Sequence, residues 1–404
     1  MLLVALLTMA QTMVKGKVTD RQTGQPLSHA SVATEEGTVN TVTNDDGCFV
    51  LKTDRLPRAI RISHIGYRTR IVSVERSGEQ KEIALTANSV RLAEVVVSAE
   101  DPKAILWAAI GRIEQNYPQK PELVRCFYRE TTRRGSRFIA VAEAVTDMYK
   151  SRYSLGPQHD VVAIHKGRRL MSMKAADTLA VKIQGGPLIP LYTDIAKNPD
   201  YLLNEEGLAM CSFRMLPPQM IDDRLHYVIS IVPSADAPVA LMGGLLYIDK
   251  ETLAFSRAEL QLDVSDWRRA SDYMLVRKPA GLRFRPKELS MTLVYHTDRH
   301  GVTRLSYVRN EIRFNCDWKR RLFASAYSTV SEMVVTDRLQ QGTGIQRPRG
   351  RSSFGLRERF YDRVEYFEDP DFWADYNIIE PTESLEHAID KLKKREIKNI
   401  EKNN

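Results

Sequence analysis

The stretch GKVTDRQTGQPLSHASVATEEGTVNTVTNDDGCFVLKT, Gly16–Thr53, alternates short Val- and Thr-rich runs with turn signals at Thr23-Gly24, Glu36-Gly37 and Asp46-Gly47. That is the spacing of short antiparallel strands joined by tight turns. Downstream, AIRISHIGYRTRIVSV (59–74) and KEIALTAN (81–88) supply further strands, with Ile60, Ile62 and Ile65 falling mostly on alternate positions until Gly66 interrupts them. A closed two-sheet sandwich buries such faces most simply.

Three segments, GKVTDRQTGQPLSHASV, TNDDGCFVL and ISHIGYRTRIV, closely resemble the carboxypeptidase regulatory-like domain, a transthyretin-like sandwich, and occur in that family's order across residues 15–88. In terms of that resemblance, Gly24 and Pro26 fit the first hairpin, Asp46-Gly47 the turn before a core strand starting at Phe49, and Gly66-Tyr67 the kinked strand. It implies a structural or adhesive module set before other domains in envelope proteins, especially those of Bacteroidetes-type bacteria. It does not imply peptidase activity. RLAEVVVSAED (91–101) then resembles the energy-coupling box that follows this module in TonB-dependent receptors, with Glu94, Val95, Val96 and Val97 at the matching positions as candidate partner-binding residues. The chain departs from those receptors because only about 300 residues follow, too few for a large outer-membrane barrel. Residues 89–101 therefore read as a linker or a coupling-box-like segment, and the run from Ala93 to Ala99 is expected to pair as an added strand, with a partner protein or with its own sheet.

At 404 residues, with 43% hydrophobic and 27% charged side chains, the chain is globular and long enough for at least two cores. MLLVALLTMA (1–10) is apolar, too short to span a bilayer, and ends with Thr8 and Ala10 where a signal peptidase takes small side chains. Although the basic start of a leader is missing, the expectation is export, with cleavage after Ala10 and a periplasmic or outer-membrane-associated location. No later apolar run is long enough for a transmembrane helix. The net charge of +8 concentrates in DRLQQGTGIQRPRGRSSFGLRER, read as a basic loop over 338–359. Nucleic acid is excluded as a partner by export and by the lack of stacking aromatics among these arginines.

The second domain is read as residues 102–404: α+β, dominated by a large antiparallel sheet. Asp101-Pro102 opens a helix whose Leu106, Ile110, Ile113 and Tyr117 share one face before Pro118 stops it. LHYVISIV, GLLYIDKETLAFSRAELQLDV, GLRFRPKELSMTLVY and LSYVRNEIRF are strands, and Asp249–Thr252 is the turn of a hairpin whose second arm buries Ala258, Leu260, Leu262 and Val264. The YID, turn and strand arrangement over 220–320 resembles the curved sheet of LolA-like lipoprotein carriers. Pro381-Thr382 starts a terminal helix over 382–399, with Leu385, Ile389 and Leu392 as its apolar stripe. The aromatic and acidic run leading into EPTESL is similar to tails of an uncharacterised Bacteroidetes family that carries the regulatory-like domain.

None of the eight histidines begins a zinc-binding HExxH, and no GxSxG, SxxK or GxxxxGK is present. His296, Asp298 and His300 in HTDRH read as a hairpin tip. The four cysteines, Cys48, Cys126, Cys211 and Cys316, read as free thiols. No cofactor is expected. The leading reading is a non-catalytic envelope binding or assembly protein. Its alternative is a carrier of a lipid or other apolar ligand, lined by Tyr247, Leu260 and Leu262. A weaker one is a glycan-binding or glycan-acting protein using Asp362, Glu365, Glu368, Asp369 and Asp371 among the tail aromatics.

Overall fold

The structure, a computed structural model, describes residues 12–88, 100–172, 181–183, 185–318, 324–342, 344–349, 353–355, 358–366, 372–373 and 375–403. The expected leader peptide over 1–10, and Glu94, Val95, Val96 and Val97 with the strand proposed for 93–99, lie outside these residues.

The N-terminal unit is the expected sandwich. Its strands are β1 (Thr12–Asp20), β2 (Ser31–Thr34), β3 (Asn40–Val42), β4 (Cys48–Thr53), β5 (Ala59–Ser63), β6 (Arg70–Ser73) and β7 (Glu79–Leu85). They form sheets of order β4-β1-β7 and β3-β2-β5-β6. Val14, Val18, Phe49, Leu51, Ile60, Ile62 and Ile83 are all at most 2% exposed between the sheets, and each contributes about 1.5–3 kcal/mol of transfer free energy. The turn at Asp46-Gly47 admits only glycine: Gly47 has φ +76°, and a Cβ there would stand 2.5 Å from the Val18 carbonyl oxygen. Asn44 Oδ1 closes the turn by accepting from the amides of Asp46 (3.0 Å) and Cys48 (2.9 Å).

The second unit opens with α1 (Pro102–Gly111), capped by Asp101 Oδ1 accepting from the Lys103 amide at 2.9 Å, and α2 (Ile113–Asn116). Then come β8 (Glu122–Arg134), β9 (Arg137–Lys150), β10 (Val161–Met171), β11 (Lys182–Ile183), α3 (Ile189–Tyr192), α4 (Pro199–Leu202) and α5 (Glu205–Ala209). β12 (Cys211–Ile221), β13 (Arg224–Pro233), β14 (Met242–Asp249), β15 (Phe255–Leu262), α6 (Trp267–Met274), β16 (Leu275–Arg277), β17 (Leu282–Thr297), β18 (Thr303–Trp318) and β19 (Ser325–Gln341) follow, and β20 (Glu365–Tyr366) and α7 (Glu383–Asn403) complete the chain. One sheet of order β12-β13-β14-β15-β17-β18-β19-β8-β9-β10-β20 dominates. Its pairings are antiparallel except for the two-residue β20, which runs parallel to β10.

Local chemistry sets the connections. Asp222 and Asp223, both in the left-handed region (φ +52° and +60°), make the two-residue turn between β12 and β13. Asp249 Oδ1 accepts from the amides of Glu251 (2.9 Å) and Thr252 (2.8 Å), closing the hairpin read from the sequence. HTDRH is the tip of the β17–β18 hairpin, where Asp298 accepts from the His300 amide and binds Arg304 at 2.6 Å. The basic segment begins later than expected. Arg338–Gln341 is the end of β19, with Arg338 opposite Val124 and Gln341 opposite Glu122, because a long antiparallel partner supplies hydrogen bonds that sequence composition does not reveal. Among the described residues no helix is long and apolar enough to cross a membrane.

Both faces of the large sheet are covered. On the front face, α1, residues 185–209 and α6 enclose the main apolar cluster, which includes Cys126, Tyr128, Leu246, Ile248, Leu260, Met291 and Phe314. On the back face, Phe127, Val145, Tyr307 and Val334 pack with Val42 of the sandwich and with Trp373 and Ile379 of the tail. Next to them α7 lays Leu385, Ile389 and Leu392 on Phe138, Val141 and Leu170.

Candidate functional site

A cover tied down by buried charges defines the front face. Between α3 and α4, Asp194 is fully buried; its Oδ1 accepts from Tyr295 Oη at 2.9 Å, and its Oδ2 from Tyr153 Oη and Lys150 Nζ, both at 3.1 Å. Lys197 Nζ, equally buried, donates to Ser151 Oγ and the Arg152 carbonyl, both at 2.9 Å, and pairs with Asp160 at 3.2 Å. Burial pushes the Lys197 ammonium down to about 8, and burial raises Asp160 against the pull of Lys197 and Lys150. Apart from Asp160 Oδ2, which has no hydrogen-bond partner among the described residues, these buried groups are bonded to one another and to neighbouring groups of the chain. They anchor the cover, which brings Leu188, Leu191, Ile195, Leu203 and Leu208 onto the sheet.

Beside this cover the front face opens. A cleft of about 460 Å³ lies between α5, the ends of β12–β14 and α6, walled by Leu208, Ile231, Val239, Leu241 and Met242, with Arg269 and Asp272 at its polar side. Its volume lies in the range that takes a small organic ligand, and an apolar wall with a few polar groups is the usual make-up of such sites. Among the lining residues, Val239 is an apolar side chain left 53% exposed. Arg269 donates to the Ala237 carbonyl and pairs with Asp266 at 3.3 Å, holding the β13–β14 connection against α6.

Tyr273 is shared with a second, inner cavity of about 50 Å³, also lined by Glu130, Thr193, Met291, Asn310 and Ser331. That volume admits water-sized groups only. Burial raises the Glu130 carboxyl above its usual range, although Tyr128 Oη (3.0 Å) and the Gly186 amide (3.3 Å) both donate to it. Asn310 is 7% exposed, and neither atom of its side-chain amide has a hydrogen-bond partner among the described residues. An unpaired buried amide costs about 1–3 kcal/mol, so this inner chamber is the polar end of an otherwise apolar region.

The sequence-derived ligand residues divide between the two faces. Leu260 and Leu262, 4% and 2% exposed, belong to the front cluster; Leu260 pairs across β15–β17 with Met291 of the inner cavity, and Leu262 across β14–β15 with Met242 of the cleft. Tyr247 does not join them. It alternates to the back face, where its hydroxyl donates to Glu259 Oε2 at 3.3 Å, and burial together with Glu259 pushes it up to about 12. The expected inward position fails because β14 is buried on both sides, so apolar character there marks no face. Of the tail carboxylates, Glu368, Asp369 and Asp371 lie outside the described residues, Glu365 stands opposite Arg168 in the β10–β20 register, and Asp362 stands 3.9 Å from Arg169. The tail aromatic Trp373 packs edge-on against Phe127 and donates to Glu143 Oε2 at 3.1 Å. Among the described residues the four cysteines are free. Glu130, Asn310, Lys150 and Asp194 were not singled out from the sequence. A signal existed for three of them: Glu130 follows Cys126 and Tyr128, Asn310 precedes Ile312 and Phe314, and Lys150 follows Met148, each a polar residue in an apolar register.

Residues 14–97 match the CarboxypepD_reg-like domain family. Curated proteins give no match. Among solved structures, a DUF1329 family protein from Desulfovibrio piger is 11% identical with a TM-score of 0.27, covering 61% of this chain and 96% of its own. A LolA superfamily protein from Nitrosomonas europaea is 14% identical with a TM-score of 0.22, covering 59% of this chain and 95% of its own. A 9R-lipoxygenase from Cyanothece is 11% identical with a TM-score of 0.15, covering 64% and 40% respectively. With overlap this low, what the cleft takes is read from its own residues.

Proposed function

We propose that this chain is a non-catalytic binding protein of the cell envelope whose front-face cleft holds an apolar ligand such as the acyl chain of a lipid. The observation that carries the reading is the 460 Å³ cleft walled by Leu208, Ile231, Val239, Leu241 and Met242. An acyl chain gains about 0.8 kcal/mol for each methylene moved from water onto such a wall. The adjoining chamber, lined by Glu130 and Asn310, gives the apolar region a polar end with hydrogen-bonding groups. The apolar leader MLLVALLTMA supports export, and the regulatory-like sandwich at 14–97 supports an envelope setting.

Titration of the purified protein with a fluorescent fatty acid, dansyl-undecanoic acid, tests this. Saturable binding is expected, weakened at least tenfold by Ala240→Trp, which fills the cleft, with an unchanged circular dichroism spectrum. Absence of saturable binding, or an affinity that Ala240→Trp leaves untouched, contradicts the reading.

A further inference from the structure

A separate groove of about 350 Å³ lies on the back face, between α7 and the β8–β9 hairpin, far in the fold from the front-face cleft. Arg133 and Arg137 line it from the hairpin, and His387, Lys391 and Arg395 from the helix; no carboxylate is among its described lining residues. The floor is apolar: Phe138 and Leu392 are 8% and 3% exposed, and the Arg133 guanidinium sits 4.0 Å from the centre of the Phe138 ring.

This distribution is not the ordinary solvated face of a helix. His387, Lys391 and Arg395 follow one another at i, i+4 and i+8, so α7 places the Lys391 and Arg395 cations on one row, where like charges repel. Glu383 and Asp390 neighbour His387 on the helix, four residues before and three after it, but Lys391 and Arg395 have no acidic residue three or four positions away, and no acidic residue of α7 lines the groove among the described residues. The charges that Arg133 feels most, Asp45 and Glu311, belong to the sandwich and to β18 rather than to the groove, and burial lowers the Arg133 guanidinium. A ligand with negative charge and a small apolar part would satisfy both the row and the floor.

We infer that this groove binds a phosphate ester, its phosphate between the hairpin arginines and the Lys391–Arg395 row and its apolar part on Phe138 and Leu392. Guanidinium and ammonium groups converging from two elements suit a phosphate's several acceptor oxygens. The ester can come from a lipid headgroup in a membrane or from a soluble molecule.

Calorimetric titration of the full chain with soluble dihexanoyl phosphatidic acid, with inorganic phosphate, and flotation with phosphatidylglycerol or phosphatidylcholine vesicles form the test. The expected result is binding of dihexanoyl phosphatidic acid that weakens with salt and falls at least tenfold in Lys391→Gln/Arg395→Gln, with the dansyl-undecanoic acid affinity of the cleft unchanged. Arg347→Gln/Arg349→Gln removes the same charge from the exposed basic segment and should leave binding intact. Flotation with phosphatidylglycerol but not phosphatidylcholine identifies the membrane source, and binding in solution without flotation the soluble one. If no phosphate-bearing probe binds, or if both double variants weaken binding equally, the groove is not a site.

Discussion

Lys150 and Asp194 face each other where water is excluded, each also hydrogen-bonded to Tyr153. Leaving one buried charge without the other costs about 3–5 kcal/mol. Asp194→Asn should therefore lower the unfolding free energy from urea denaturation by that much, seen as a lower midpoint at an unchanged m value, while Asp194→Asn combined with Lys150→Met should recover most of the loss. Additive losses would show that the pair does not hold the cover. Glu130 makes a pH prediction with a definite sign. Its carboxyl is raised above the ordinary value of 4.5 in the folded chain. The folded state thus binds the proton more tightly than the unfolded one, and the contribution to stability is full below 4.5 and lost as pH rises through the folded value. Glu130→Gln should match the parent at pH 4 and gain on it progressively as pH rises; parallel stability curves would contradict the buried, raised carboxyl. Asp20 behaves oppositely, held down to about 2 by the Tyr67 hydroxyl, so its support for the sandwich is lost only in strong acid.

At the scale of elements, β14 is where the sheet floor is most constrained. Gly244 has φ +139°, and a Cβ there would lie 2.0 Å from the Glu259 carbonyl oxygen of β15. Gly244→Ala should destabilise the protein by about 1–3 kcal/mol through forced displacement of the two strands and should weaken dansyl-undecanoic acid binding in parallel, read by thermal denaturation and fluorescence titration. A stable variant with full affinity would mean that the β14–β15 floor does not shape the cleft. The same hairpin shows what sequence can and cannot reveal. The alternation Ala258, Leu260, Leu262 was legible because β15 exposes polar residues between them, and the Asp249 turn was legible from its side-chain chemistry. Tyr247 was not, because Leu245-Leu246-Tyr247-Ile248 is apolar throughout and parity carries no information. Arg338 in β19 was hidden for another reason: its partner Val124 is distant in sequence, and only the closed pairing of β8 with β19 places it in the sheet. The cleft itself was illegible, since its walls come from α5, the β13–β14 connection and α6, which no local pattern joins.

Across the whole molecule, the tail fastens the sandwich to the sheet. Asn377 exchanges two hydrogen bonds with the Lys52 backbone at 2.7 and 2.8 Å, Thr41 and Asn44 donate to the carbonyls of Ile378 and Pro381, and Asp46 accepts from the first amide of α7 at 2.9 Å. Trp373, 5% exposed, sits beneath this strap, and truncation of such a side chain typically costs about 3–5 kcal/mol. Trp373→Ala/Asn377→Ala should release the sandwich and turn a single thermal transition into two, observed by calorimetry; one unsplit transition would show that the units are not coupled through the tail. With much of the back face occupied in this way, the front-face cleft is the surface we propose for an apolar ligand. Photo-crosslinking with a diazirine-bearing fatty acid, followed by peptide mass spectrometry, tests that claim most directly. Labels concentrated in peptides containing Leu208 and Val239–Met242, and lost on competition with unlabelled fatty acid, are predicted. Labels confined to the sandwich, or spread without competition, would contradict the account.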